Sequence, residues 1–324
     1  MKKITGAGIA AIFLLSACGN AGTGEQKDSV AVARQDSMVS SNVDTATPGA
    51  VDVPDTSNIN VPGKEVLLQF NLEKGKSYAY DIAMDIGQER QESKINTGMN
   101  WKYTLQVMNE DGKVKTIRVT YDHIAMSMDM GGQKMEFNSD APMGDPSNPL
   151  YMITNLFSAM KGKSFSMTVD NQGEVRKVEG IDKLGEELVS GLHIPPEYKE
   201  RMLKNFRSQF NENDIKATFS QTFSMLPGKK IKAGDSWEKE SVTKVGPTRG
   251  RLLTIYTVES IKGNIVKLSG KGKLLSEKGV STGTQSSKLI IDAPTGLVLQ
   301  NVFDISTEGQ NKITTHGKIT GKKL

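Results

Sequence analysis

From residue 63 onward, apolar side chains recur at every second position in the first and last thirds of the chain, a period that only half-buried strands satisfy. Tyr78, Tyr80, Ile82, Met84 and Ile86 share one face, with Asp81 and Asp85 on the other. Trp101, Tyr103, Leu105 and Val107 repeat the pattern, and Asn109-Glu110-Asp111-Gly112 supplies a turn into the next strand. There the apolar set moves from odd positions (Ile117, Val119, Tyr121) to even ones (Ile124, Met126, Met128, Met130), which predicts a bulge near Asp122 and His123. The last third gives strands from Trp237, over 252–258, 265–275, 289–291, 297–305 and 313–319.

The middle third changes period. Asn148-Pro149 is a helix start with Pro at its first position, and Leu150, Ile153, Leu156, Phe157 and Met160 fall on one face of a helix over 148–161. Phe165, Met167 and Val169 alternate into the turn Asp170-Asn171-Gln172-Gly173, with Val175 and Val178 beyond. Further helices are predicted over 181–191, 196–210 with Tyr198, Met202, Phe206 and Phe210 at four-residue spacing, and 212–225 capped by Asn211. The expected fold is α+β, mainly antiparallel sheet as a half-barrel or curved sheets, with a central helical segment packed on it. The hairpins at 167–175 and 289–298 share an apolar strand, an Asp and a Gly-closed turn, which fits either a duplicated half-domain or common turn chemistry.

At the N-terminus, Lys2 and Lys3 precede a small and apolar run that ends in Leu15-Ser16-Ala17-Cys18. A charged start, a short apolar stretch and small residues before a cysteine form a lipoprotein signal over 1–17 with a cleavage box. Cys18 is the only cysteine. It is therefore expected to carry acyl chains that tether the mature protein to a membrane, and several chains at one residue make the attachment stable. Residues 18–62 are polar, with six acids against Lys27 and Arg34, and predict a disordered tether of roughly 35–40 Å root-mean-square span. Of the whole-chain charge of +4, residues 63–324 then hold a mildly basic balance with no Lys/Arg block, which argues against nucleic acid as partner. Gly19 and Asn20 lack an aspartate that would retain the protein at the inner membrane, so the expected place is the outer membrane, facing the periplasm.

The phrases GQKMEFNSD, NPLYMITNLFSAMKGKSFSMTVDNQGEVRKVEG, FSMLPGKKIKAGDSW and IIDAPTGLV, with the lipobox and tether, resemble a family of Gram-negative lipoproteins whose domain has no known function. The resemblance covers essentially the whole body and implies an architecture and a compartment, with no activity. More loosely, strand-rich halves with Gly-closed hairpins are similar to the half-barrels of periplasmic lipoprotein carriers and their receptor, which hold acyl chains in a concave sheet.

Catalysis is not expected. Gly234-Asp235-Ser236 matches the nucleophile block of a hydrolase family whose base comes from an Asp-x-x-His pair, yet the residues three before His123, His193 and His316 are Thr120, Ser190 and Ile313. A turn leading into Trp237 accounts for it. One acylated cysteine and three scattered histidines predict no metal site and no cofactor. Methionine is frequent, at 15. Met126, Met128 and Met130 put three thioethers on one strand face, which suits Cu(I), a pliable apolar lining, or simply a Met-filled core. The expected function is non-catalytic binding or carriage of an apolar or amphiphilic envelope molecule, with Met84, Met126, Met128 and Met130 as candidate lining. The alternative is an assembly accessory that docks on an envelope protein and takes no small ligand.

Overall fold

A computed structural model describes residues 63–90, 93–141, 151–192, 195–245, 248–309 and 311–324. The signal over 1–17, Cys18, the tether and the helix start at Asn148-Pro149 lie outside these described residues. Alternation becomes long strands: β1 (Val66–Leu68), β2 (Ser77–Arg90), β3 (Ser93–Asp111), β4 (Val114–Met130) and β5 (Gln133–Asn138). The middle gives α1 (Tyr151–Met160), β6 (Ser164–Asp170), β7 (Val175–Glu179), α2 (Ile181–Ser190), α3 (Pro196–Gln209) and α4 (Glu212–Phe223). Then come β8 (Lys229–Ile231), β9 (Ser236–Val245), β10 (Thr248–Lys262), β11 (Ile265–Ser276), β12 (Ser281–Asp292), β13 (Leu297–Thr307) and β14 (Asn311–Lys323). The fold is α+β, as the two periods require. Among the described residues, no helix is long and apolar enough to cross a membrane.

One antiparallel sheet runs β7-β6-β4-β3-β2-β14-β13-β12-β11-β10-β9, with β5 on the far half of β4 and β1 paired with β8 apart from it. The two strand-rich thirds join where β2 pairs with β14, from Tyr78 opposite Lys323 to Arg90 opposite Asn311. β4 has the bulge its parity change demands. Tyr103 faces Tyr121 while Lys102 faces His123, leaving Asp122 over, so Tyr121 and Ile124 both point inward. On either side of the bulge β4 takes a different neighbour, β6 along 114–120 and β5 along 125–130.

The sheet's inner face carries Tyr80, Tyr103, Leu105, Ile117 and Val119, all buried. Onto it packs α4, whose Phe219 ring lies 5.6 Å from Tyr103 and 5.8 Å from Phe165, and whose Phe223 lies 5.0 Å from Phe70. Asn211 caps α4 by accepting from the Asp214 amide at 3.0 Å. On α3 the four-residue spacing drifts, because 3.6 residues make a turn. Phe206 and Phe210 are buried while Tyr198, two turns earlier, is 47% exposed under the Arg201 guanidinium.

α4 also spans the gap between the sheet's two edges. Ser220 Oγ accepts from the Val175 amide (3.2 Å) and Glu212 Oε1 from the Val178 amide (3.3 Å), both on β7. Toward the opposite edge, Gln221 Nε2 donates to the Val242 carbonyl of β9 (2.8 Å). Edge strands left open would expose pairing groups; here helix side chains satisfy some of them and close the curved sheet into a shell. The two similar hairpins meet the same strut, since Phe70 N donates to Asn171 O (3.0 Å) and Asn71 N to Thr295 O (2.8 Å).

Candidate ligand-binding site

Between the sheet and α4 the interior leaves a cavity of about 160 Å³. The wall from β2 and β3 carries Ile82, Met84, Trp101 and Tyr103, and α4 adds Ile215 and Phe219 together with the polar Asp214, Thr218, Gln221 and Thr222. Opposite lie Leu252 and Tyr256 of β10, Gln285 and Ser287 of β12, and Asn301 and Phe303 of β13. Space there depends on small residues beneath large rings. Phe303 lies across Gly317 of β14, where a Cβ would come within 2.1 Å of the ring.

The polar groups on this wall are buried. Ser287 is 6% exposed and Asn301 8%, yet Ser287 Oγ and Asn301 Oδ1 make no hydrogen bond among the described residues. A buried polar atom left unsatisfied costs about 1–3 kcal/mol. Both sit on positions whose parity matches apolar neighbours, Leu289 and Ile291 for Ser287, Phe303 and Ile305 for Asn301. Nearby, Thr254 Oγ1 donates to Gln285 Oε1 at 3.2 Å. Burial raises the phenols of Tyr103 and Tyr121 and pushes Tyr256 up to about 12, so all three stay neutral at ordinary pH. Asp214 is the one charged side chain in the lining among the described residues, and it accepts from Asn211 Nδ2 at 2.9 Å.

The sheet's other face holds a wider groove of about 1150 Å³. A cross-strand row Asp85–His316–Asp304 lies in it, with His316 Nδ1 2.8 Å from Asp304 Oδ1. Lysines 94, 134, 271 and 273 stand around it, with the half-exposed Ile255. Among the described residues, no group of three or more His, Cys, Asp or Glu side chains is placed to hold a metal ion.

The four methionines named from the sequence are divided. Met84 lines the inner cavity. Met126 is buried and lines neither concavity; it pairs with Met99 on β3 and Phe137 on β5. Met128 lines the outer groove, and Met130 is 39% exposed at the end of β4, opposite Gln133. Cys18 lies outside the described residues. Gly234-Asp235-Ser236 forms the turn into β9: Asp235 Oδ2 accepts from the Lys232 amide, and Ser236 Oγ is 2.9 Å from Thr257 Oγ1. The residues that sequence reading missed are Ser287, Asn301 and Gln285. A signal existed, namely polar side chains standing on the apolar parity of their strands.

Shape and lining define a strand-rich shell with a small interior cavity, closed by a helix. The model of a family of unknown function (DUF6263) matches residues 112–298, and the chain belongs to that family. All four phrases that carried the resemblance fall within or close to that stretch. Comparison with curated proteins gave no match. Among solved structures, the chain is similar to one described as lipid-protein interactions in lipovitellin (12% identity, TM-score 0.42). That likeness covers 78% of this chain and 25% of the other, so this chain spans about a quarter of it. A DUF1329 family protein from Desulfovibrio piger matches at 8% identity and TM-score 0.17, over 75% of this chain and 84% of that one. A domain from Vibrio parahaemolyticus, described as outer membrane lipoprotein-sorting, matches at 7% and 0.23, over 76% and 85%. At scores this low, none of the three bears on what this chain does.

Proposed function

We propose that this chain is a non-catalytic binding protein of the cell envelope, tethered to a membrane through acyl chains on Cys18, that holds the apolar part of an amphiphilic molecule between its sheet and α4. The observation that carries the reading is the interior cavity, walled by large apolar and aromatic side chains along β2 and β3 and bearing two unpartnered polar atoms on β12 and β13. Buried polar atoms are nearly always hydrogen-bonded, so two that face a void without a partner are groups a ligand would satisfy. A cavity of about 150 Å³ accommodates benzene, so about 160 Å³ takes a ring or a chain of similar carbon number. The charged start, apolar run and Cys18 support the envelope location. A second reading, docking of an envelope protein on the outer groove, is favoured by Ile255, 51% exposed among lysines and carboxylates.

Native mass spectrometry of the full chain, followed by organic extraction, tests the first reading. The expected result is one non-covalent amphiphile per chain. It should be lost in Thr218→Leu, which adds a side-chain volume to the cavity wall while circular dichroism stays unchanged. A mass that accounts only for the chain and its covalent anchor would refute it.

A further inference from the structure

The cavity's polar wall says what kind of head group it can accept, an inference that rests on the binding reading above. Asn301 Oδ1 is an acceptor and asks for a donor, whereas Ser287 Oγ both donates and accepts. Ser287 stands opposite Phe303, and Asn301 opposite Leu289, so the two are diagonal neighbours on the inner face of β12 and β13. Diagonal pairs of this kind have Cβ atoms no more than about 7–8 Å apart, close enough for one small group to reach both.

Charge narrows the choice further. Among the described residues, no lysine, arginine or histidine lines the cavity, and the one charged side chain in its lining, Asp214, is a carboxylate. An anionic head placed there would lose its water, meet no countercharge and face a like charge. The surrounding phenols of Tyr103, Tyr121 and Tyr256 are neutral and offer no compensating cation.

We infer that the amphiphile held against Ser287 and Asn301 carries a neutral, hydrogen-bond-donating head, a hydroxyl or an amide, and that free carboxylate and phosphate monoester heads are excluded. A hydroxyl would donate to Asn301 Oδ1 and accept from Ser287 Oγ, leaving both atoms satisfied. A primary amide would use an N–H and its carbonyl in the same way.

Calorimetric titration of the full chain at pH 7 with four six-carbon probes tests this: 1-hexanol, hexanamide, hexanoate and hexyl phosphate. The alcohol and amide should bind one to one, and the two anions at least about tenfold more weakly, the factor that loss of one such hydrogen bond and unpaired burial of charge would give. Asn301→Leu should lose about tenfold in hexanol affinity while its thermal midpoint holds or rises, because the orphaned atom is gone and the space is filled. Should that variant misfold, Ser287→Ala changes one atom and should weaken hexanol in the same direction. Hexanoate or hexyl phosphate binding as tightly as hexanol, or an Asn301→Leu chain that folds and keeps full hexanol affinity, would overturn the head-group assignment and leave the binding reading standing. Failure of all four probes to bind would overturn the binding reading itself.

Discussion

Asp140, at the turn after β5, is tied to two bases at once. Its carboxylate meets Lys161 Nζ at 2.5 Å and His123 Nδ1 at 2.6 Å, which joins the β5 turn to the end of α1 and to the bulged part of β4. The hydrogen bond from Lys161, then that from His123, holds its carboxyl below the usual aspartate range. A depressed carboxyl contributes stability above its unfolded pKa of about 3.9 and loses it as pH falls through the lower folded value. We therefore expect an NMR titration to show Asp140 protonating below the ordinary aspartate midpoint, with Lys161→Ala moving that midpoint back up. An unmoved midpoint would mean that the Lys161–Asp140 pair has no consequence in solution. At this scale the sequence was partly readable. The alternation placed Met84 and Ile124 inward as found, but Ser287 and Asn301 pass for ordinary surface-strand residues until their parity is set beside Leu289, Phe303 and Ile305. Met126 and Met130 show the opposite limit: one strand face runs from core to solvent, so sharing a face does not mean sharing a cavity.

At the scale of elements, α4 matters most, since it both seals the cavity and ties β7 to β9. Its C-terminal end rests on Gly173, which has φ +80°, and a Cβ there would fall 2.2 Å from the Phe223 carbonyl oxygen. Gly173→Ala is expected to destabilise the fold by roughly 1–3 kcal/mol, since the turn conformation and the close approach both penalise a side chain. Chemical denaturation would measure the loss. Hydrogen exchange should speed up at the Val175 and Val178 amides, which Ser220 and Glu212 hold; unchanged exchange there would separate α4 from the edge it is proposed to seal. Most elements were legible because they follow a period, including the bulge in β4 and the cap on α4. Two kinds were not. β1 and β8 are three residues each and exist through a pairing of Val66 with Ile231, Leu67 with Lys230 and Leu68 with Lys229, contacts that no local pattern announces. β12 extends back to Ser281 through Ser-Thr-Gly-Thr-Gln-Ser-Ser, a stretch without apolar alternation that becomes a strand because β11 and β13 flank it.

For the whole molecule, the two strand-rich thirds form a single sheet, joined by β2 and β14, with the helical middle third inserted against its inner face. The α+β class and the placement of the helices followed from the change in period, whereas the joining of first and last strands is a long-range pairing that no window of sequence contains. The arrangement gives the sheet two concavities of different character, a small one facing the helices and a broad charged one behind. Our account assigns ligand binding to the first. The most direct test uses the methionines as reporters, because Met84 lines the inner cavity, Met128 the outer groove, and Met126 and Met130 neither. In a chain labelled with 13C at the methionine methyls, titration with 1-hexanol should shift Met84 to saturation at one equivalent bound and leave Met130 in place. A stationary Met84, or a response confined to Met128, would contradict the assignment.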